Sequence, residues 1–439
     1  MIDSMRLCLL ALLSGSAALA QELPAPLTDA DFKPVRIEEV LLGQQLFYDP
    51  ILSGNREVSC ATCHHPAFGT SDGLSLGIGD GGMGLGTARV VDPVNMPEQR
   101  VPRNAPALFN LGAYEFTVLF HDGRIEVDAD RPGGLRTPLD ADMVAGFTSL
   151  LSAQTMFPVL SPDEMAGHYS ENEVSKAVRR GVLTGPGGAW DIIARRVADI
   201  PAYAADFMLV YDHIDAPGAI GFADISNAIA AFIASEWRSD GAPFDGVLRG
   251  DGDLPAPAAA GMALFYGEAG CAGCHRGPFL TDHQFHVMGV PQIGPGKAAR
   301  FESHARDEGR FRVTGNPADL YAFRTPSLRN VALTAPYGHA GAERDLRKFV
   351  VGHLDPAAAL ATYDIAAAVL PAFDADDARG LHDNPAIAAA VTVSPVTLRD
   401  HDIAALIAFL QALTDPAAQQ GHLGVPDTVP SGLPVVRPR

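Results

Sequence analysis

Cys60-Ala61-Thr62-Cys63-His64 and Cys271-Ala272-Gly273-Cys274-His275 are two copies of the pattern C-x-x-C-H, and their reading decides the fold. On one helical turn this spacing lets two thiols add to the vinyl groups of a haem while the adjoining imidazole reaches the iron. C-x-x-C also occurs in zinc sites and thiol redox centres, so one copy alone carries less weight. The two copies use four of the five cysteines, and the fifth, Cys8, lies in a stretch that reads as a removable signal. None remains for a disulfide. The sequence therefore predicts two covalent haem c groups, held by Cys60, Cys63, Cys271 and Cys274 with His64 and His275 as axial ligands.

At the N-terminus Arg6 precedes an apolar run over residues 7–20, and Ala18-Leu19-Ala20 before Gln21 matches a small-x-small cleavage site. This predicts a signal peptide over residues 1–20, cleavage after Ala20 and a periplasmic protein. The run is short for a bilayer span, and no later stretch offers eighteen uninterrupted apolar residues, so no stable membrane association is expected. A formal charge of -20 opposes nucleic acid and would steer a basic redox protein toward the surface.

A chain of 439 residues is long enough for two domains with separate cores. Pro/Gly-rich stretches at 72–106 and 241–257 break it, which suggests a boundary near Gly250: an N-terminal domain over 21–250 and a C-terminal one over 251–439. The halves echo each other. Leu46-Phe47-Tyr48 answers Leu264-Phe265-Tyr266, and Pro102-Arg103-Asn104 answers Leu328-Arg329-Asn330. Helical periodicity is present in Ile37-Val40-Leu41, Met262-Phe265, Ile225-Ile229-Phe232-Ile233 and Ile403-Leu406-Ile407-Leu410-Leu413. No run of alternating β-branched residues competes with it. The expected fold is mainly α, two c-type cytochrome domains with one covalent haem each, joined by the long loops that 44 Gly and 34 Pro imply.

Beyond the haem motifs the chain resembles the bacterial dihaem cytochrome c peroxidases and their methylamine-utilisation and methanobactin-associated relatives. The resemblance rests on Pro102-Arg103-Asn104-Ala105-Pro106, His121-Asp122-Gly123-Arg124, residues 154–165 and the run from Arg324-Thr325-Pro326 to Ala335-Pro336-Tyr337. It implies a peroxidase-class oxidoreductase in which hydrogen peroxide reacts at the N-terminal haem and the C-terminal haem relays electrons. The family pattern Q-x-x-x-P-x-x-x-P-x-E-M is matched by Gln154, Pro158, Pro162, Glu164 and Met165, which makes Gln154 and Glu164 the catalytic pair. Chemistry asks for the same pair, since splitting the O–O bond requires carrying a proton from the near oxygen to the leaving one. A helix-start carboxylate after Ser161-Pro162 is the plainer alternative for Glu164.

The resemblance further implies a second-haem ligand at His353, with Tyr363 and Met288 as alternatives, and a calcium ion held by Asn104 and the carbonyls of Thr334 and Pro336. Many relatives cap the first haem with a histidine in the loop after its motif; here Asp80 stands there, read as a turn residue. Where the family pattern has Trp between the haems this chain has His121, assigned to electron relay, with Tyr114, Phe116 or Tyr337 as other aromatic bridges. His65, His283, His286 and His304 read as surface or loop residues. Three functions follow: oxidation of an aromatic residue in a partner protein, which the uncapped first haem and non-Met second ligand favour; peroxide reduction with electrons from a small soluble donor; or electron carriage without catalysis, against which Gln154 and Glu164 argue.

Overall fold

The computed structural model describes residues 22–298, 302, 304–373 and 377–438, so the expected signal peptide lies outside the described residues. Helices dominate, and the strands are two or three residues long, paired as Gly82–Met83 with Val90–Val91, Val118–Leu119 with Ile125–Val127 and Leu135–Arg136, and Phe285–His286 with Phe323–Arg324.

Two helix crossings organise the molecule. In the first, helix Ile37–Tyr48 lies on Phe222–Glu236. Gly43 permits the approach: a Cβ there would collide with the Ala228 carbonyl and sit 2.8 Å from Phe232 Cβ. In the second, helix Ala256–Phe265 lies on Asp400–Gln411, where a Cβ on Gly261 would collide with the Ala405 carbonyl and sit 2.9 Å from Phe409 Cβ. Backbones this close let aromatic rings pack tilted or edge-on at the crossing. Phe47 lies 5.2 Å from Phe232 and 5.0 Å from Trp237; Phe265 and Phe244 each lie 5.2 Å from Phe409. Aromatic pairs of this kind add about 0.5–1.5 kcal/mol beyond the area they bury.

The periodic segments all lie on or at the ends of helices, but the face read from Ile37-Val40-Leu41 is not the buried one. Ile37 and Leu41 are exposed, while Val40, Gly43, Leu46 and Phe47 face the crossing. Gly43 carries no hydrophobic side chain, so its place on the buried face left no mark on the apolar pattern.

Each crossing is locked by an asparagine in the left-handed region. Asn110 (φ +60°) donates its N–H to Trp237 O at 3.0 Å and accepts from Ser239 N at 2.7 Å; Asn330 (φ +61°) donates to Leu413 O at 3.1 Å and accepts from Asp415 N at 2.8 Å. Asn tolerates this conformation better than most residues. The structural partner of Asn330 is thus Asn110, not Asn104 as the Pro102-Arg103-Asn104 echo suggested. Local identity of Arg-Asn pairs misplaced the repeat by a few residues. Ser239 receives the Asn110 Nδ2 on its carbonyl (2.9 Å) and the Asn330 Nδ2 on its hydroxyl (2.8 Å), tying the halves together.

The chain beyond Asp415 returns to the first core. Ala418 and Val429 are buried there, Glu236 accepts from Leu423 N (2.7 Å) and Gly424 N (2.9 Å), and Ser431 Oγ donates to Asp49 at 2.6 Å. No helix among the described residues is long and apolar enough to cross a membrane.

Candidate haem and peroxide sites

Both C-x-x-C-H motifs fold as a tight turn that ends on the histidine. His64 N bonds Cys60 O at 2.9 Å and His275 N bonds Cys271 O at 3.0 Å. The imidazoles are oriented alike. His64 Nδ1 donates to Thr70 O (2.9 Å) and His275 Nδ1 to Leu280 O (3.1 Å), and both acceptors belong to residues with positive φ. A carbonyl on Nδ1 places the proton there and leaves Nε2 as the lone-pair nitrogen, the usual arrangement for an iron ligand. Burial holds both rings neutral, His275 at about 4. All four cysteines are free of disulfides. Burial pushes the Cys60 and Cys63 thiols up to about 12, so they are neutral without a partner. The donor set fits covalent haem at both places.

Above the first motif the 158–166 segment supplies the carboxyl. Ser161 O accepts from Glu164 N (3.2 Å), Met165 N (3.0 Å) and Ala166 N (2.9 Å), a wide turn of the sort often found at functional sites. Burial raises the Glu164 pKa, while Lys297 and Arg124 pull it down and Asp163 opposes them. The charge of Glu164 is felt at the Cys63 thiol of the first motif. Gln154 stands half-buried near the end of helix Leu150–Thr155, whose N-terminus is capped by Ser149.

Asp80 is in a turn as expected, but it is wholly buried. Asn55 Nδ2 reaches its two carboxylate oxygens at 3.2 and 2.9 Å, Asn95 Nδ2 reaches one at 3.3 Å, and its N–H bonds Glu164 O at 2.9 Å. Burial and the nearby Glu171 raise its pKa to about 7. An acid locked by amides in this way stays where it is.

On the second side His353 sits on helix Leu346–Leu354 with Nδ1 donating to Phe349 O at 3.0 Å, again leaving Nε2 as the free nitrogen. A charge on His353 would oppose protonation of His275. Tyr363 is engaged elsewhere: its hydroxyl donates to Ala342 O at 2.8 Å, and its ring packs on the cluster of Leu76, Ile293 and Ala340. Met288 is partly buried, in the segment just after strand Phe285–His286.

Between the motifs lies a buried polar network. His121 Nε2 bonds Asn104 O (3.1 Å), and burial with the Arg103 charge lowers its pKa to about 3. Asn104 N bonds His339 O at 2.9 Å; His339 stacks on Phe323 at 3.8 Å, and neither of its ring nitrogens has a hydrogen-bond partner. Asp122 bridges Arg103 (2.8 Å) and Arg124 (3.0 Å), and Arg103 also holds Asp307 of the second half.

Three histidines read as surface or loop residues are better anchored than that. His65 is buried and accepts from Ala67 N; His283 pairs with Glu115 (3.1 Å) and His286 with Asp282 (2.9 Å). Lys297, His339 and Arg89 went unnoticed in the sequence. Arg89 fastens the loop after the first motif by donating to the carbonyls of Ile78, Gly79 and Gly84. Single residues in Gly-rich loops show no periodicity that would mark them.

Residues 37–253 match the family model for di-haem cytochrome c peroxidase. A cytochrome-c peroxidase IdrP2 of Pseudomonas sp. (strain SCT) is 30% identical over 77% of this chain and 77% of its own length. The chain belongs to the di-haem cytochrome c peroxidase family. Among other members, the methylamine utilization protein MauG of Methylorubrum extorquens is 31% identical over 70% of this chain and 66% of its own length. A solved MauG-like protein associated with microbial copper homeostasis superposes with a TM-score of 0.59 at 25% identity, covering 92% of this chain and 96% of that one. The chain is thus a mainly helical di-haem peroxidase-family oxidoreductase, and its paired motifs are the haem-attachment sites of that family.

Proposed function

We propose that this oxidoreductase activates hydrogen peroxide at the His64 haem with Gln154 and Glu164, relays electrons through the His275 haem with His353 as its second ligand, and directs the oxidation at an aromatic residue of a partner protein. The observation that carries the reading is the half-buried Glu164 carboxyl, whose charge reaches the Cys63 thiol and whose proton affinity is raised by burial and lowered by Lys297 and Arg124. Haem bound at the two motifs supplies the one-electron chemistry. Glu164 takes the proton from the near peroxide oxygen and returns it to the leaving one, and Gln154 orients the substrate by hydrogen bonding. Conversion of one peroxide to two waters takes up two electrons and two protons, which the oxidised aromatic group provides.

The Asn104 amide donates to Leu74 O at 2.7 Å, leaving Oδ1 without a partner among the described residues, where the Thr334 and Pro336 carbonyls also accept no hydrogen bond. These three oxygens suit the Ca²⁺ assigned to them. The division near Gly250 is likewise proposed, with residues beyond 415 serving as a strap on the first unit. Export to the periplasm completes the reading.

The rival within the family is turnover with a small reduced cytochrome. Peroxide reaction followed with and without such a donor separates the two. Slow donor oxidation, with an oxidised state that decays faster when the protein substrate is added, supports the proposal; donor oxidation at the rate of peroxide consumption overturns it.

A further inference from the structure

Two cations favour ionisation of the Glu164 carboxyl, Lys297 and Arg124, and they are not equivalent. Arg124 Nε donates to one oxygen of Asp122 at 3.0 Å, and Arg103 takes the other at 2.8 Å. Arg103 in turn grips Asp307 through bonds of 2.6 and 2.7 Å. Both guanidiniums are therefore matched by carboxylates. The Lys297 ammonium has no hydrogen bond or ion pair among the described residues. Burial and the charges of Arg124 and Arg103 push this amine down to about 8, while Glu164 and Asp122 act to hold its proton.

Backbone placement brings this lysine to the site from the other half of the chain. The described residues on either side tie it in place, with Asp307 N bonding Gln292 Oε1 at 3.1 Å and Lys297 N bonding Arg306 O at 3.0 Å. A Cβ on Gly294 would collide with Leu76 of the loop that follows the first haem motif. Further along that loop, a Cβ on Gly79 would lie 2.7 Å from Glu164 Cα. The loop is thus sandwiched between the segment leading to Lys297 and the Glu164 turn.

We propose that Lys297 is a positioning residue of the peroxide site, the uncommitted positive charge, delivered by the second half, that holds the Glu164 carboxyl ionised to accept the peroxide proton. This rests on Glu164 being the proton carrier. It makes the second half a contributor to the first site. Adjacent Asp163 works against ionisation, and Arg124, paired with Asp122, favours it less than Lys297 does.

The test uses the two-haem holoprotein and the variants Lys297→Met, Lys297→Arg and Glu164→Gln. Infrared difference spectroscopy follows the titration of the Glu164 carboxyl, its band identified by its loss in Glu164→Gln. In Lys297→Met the Glu164 midpoint should rise by about one pH unit or more. The acid limb of the peroxide reaction should move up with it, haem spectra being unchanged, and Lys297→Arg should restore both. If Met is not tolerated, Lys297→Gln makes the same comparison. An unshifted Glu164 midpoint in the uncharged variant overturns the proposal, as does an Arg variant that behaves like Met. If Glu164→Gln leaves the peroxide rate untouched, the proton-carrier reading fails by itself, while the infrared midpoint still decides whether Lys297 governs the carboxyl.

Discussion

Gly43 admits Ala228 and Phe232 at the first crossing as Gly261 admits Ala405 and Phe409 at the second, Asn110 and Asn330 lock the two crossings alike, and Thr70 and Leu280 aim the two imidazoles. Away from those imidazoles the likeness ends. The first half has a wide turn carrying Glu164, and the second has a helix carrying His353. One scaffold, used twice, thus fixes the haem-motif side, and in the function proposed above the segments inserted between its helices set what faces the other side. A carboxyl leaves room for substrate and can carry a proton. An imidazole closes the position and leaves only electron transfer.

The comparison breaks most sharply at Glu164. Glu164→Gln should slow the peroxide reaction by roughly 10²-fold or more, the scale of a lost acid–base group, with both haem spectra nearly unchanged. His353→Ala should do the opposite: it should convert the second haem from low-spin to high-spin or water-ligated and leave the first spectrum alone. If Tyr363→Phe or Met288→Leu produces that conversion instead, the second side has been assigned wrongly.

Next in size is the shared scaffold. Gly43→Ala and Gly261→Ala each force a methyl group against a carbonyl across a helix crossing, a strain of about 1–3 kcal/mol. Similar losses in denaturant unfolding of the two variants would support equivalence of the crossings. A cost at one site alone would show that the second contact is made differently.

A smaller effect should come from Asp80, which has no counterpart described at the second site. Burial raises its folded pKa to about 7 from the ordinary aspartate value of 3.8, so the native state binds the proton more tightly than the unfolded chain. This contribution is fully present below about pH 4 and is lost as pH rises to about 7. Asp80→Asn should therefore flatten the dependence of Tm on pH across that window. An unchanged slope would mean that the surrounding amides hold Asp80 ionised.

The parts legible in the sequence were those written locally. C-x-x-C-H gave both attachment sites, and apolar spacing marked the four crossing helices. Contacts between distant segments left no such trace. The Gly43 and Gly261 approaches needed the partner helices in place, and the Asn104 echo misled because Arg-Asn recurs without the left-handed turn that distinguishes Asn110 and Asn330. Lys297 sits in a loop with no periodicity, and its meaning depends on which carboxylates Arg124 and Arg103 have already taken.

The smallest expected effect concerns the junction between the halves. His121 stands where the family pattern has tryptophan, and imidazole is much harder to oxidise than indole, so charge hopping through a radical there is unfavourable. The ring still bonds Asn104 O, and Asn104 N bonds His339 O, which leaves a bonded path between first-half and second-half residues. On the second-half side Tyr337 stacks on Phe349 at 5.4 Å, and Phe349 lies 4.5 Å from His353, so an aromatic chain leads to His353. Phe116 leads elsewhere, onto Phe279 and His283, and Tyr114 is largely exposed. We therefore expect the haems to communicate, with a shared two-electron-oxidised state weaker or shorter-lived than in Trp-containing relatives. His121→Trp should strengthen its near-infrared absorption and slow its decay. Tyr337→Phe, which keeps the stack but removes the phenol, should leave both nearly unchanged if the chain serves only as a tunnelling medium. A Trp variant indistinguishable from the parent, together with a Tyr337→Phe variant that loses communication, would move the bridge from His121 to Tyr337.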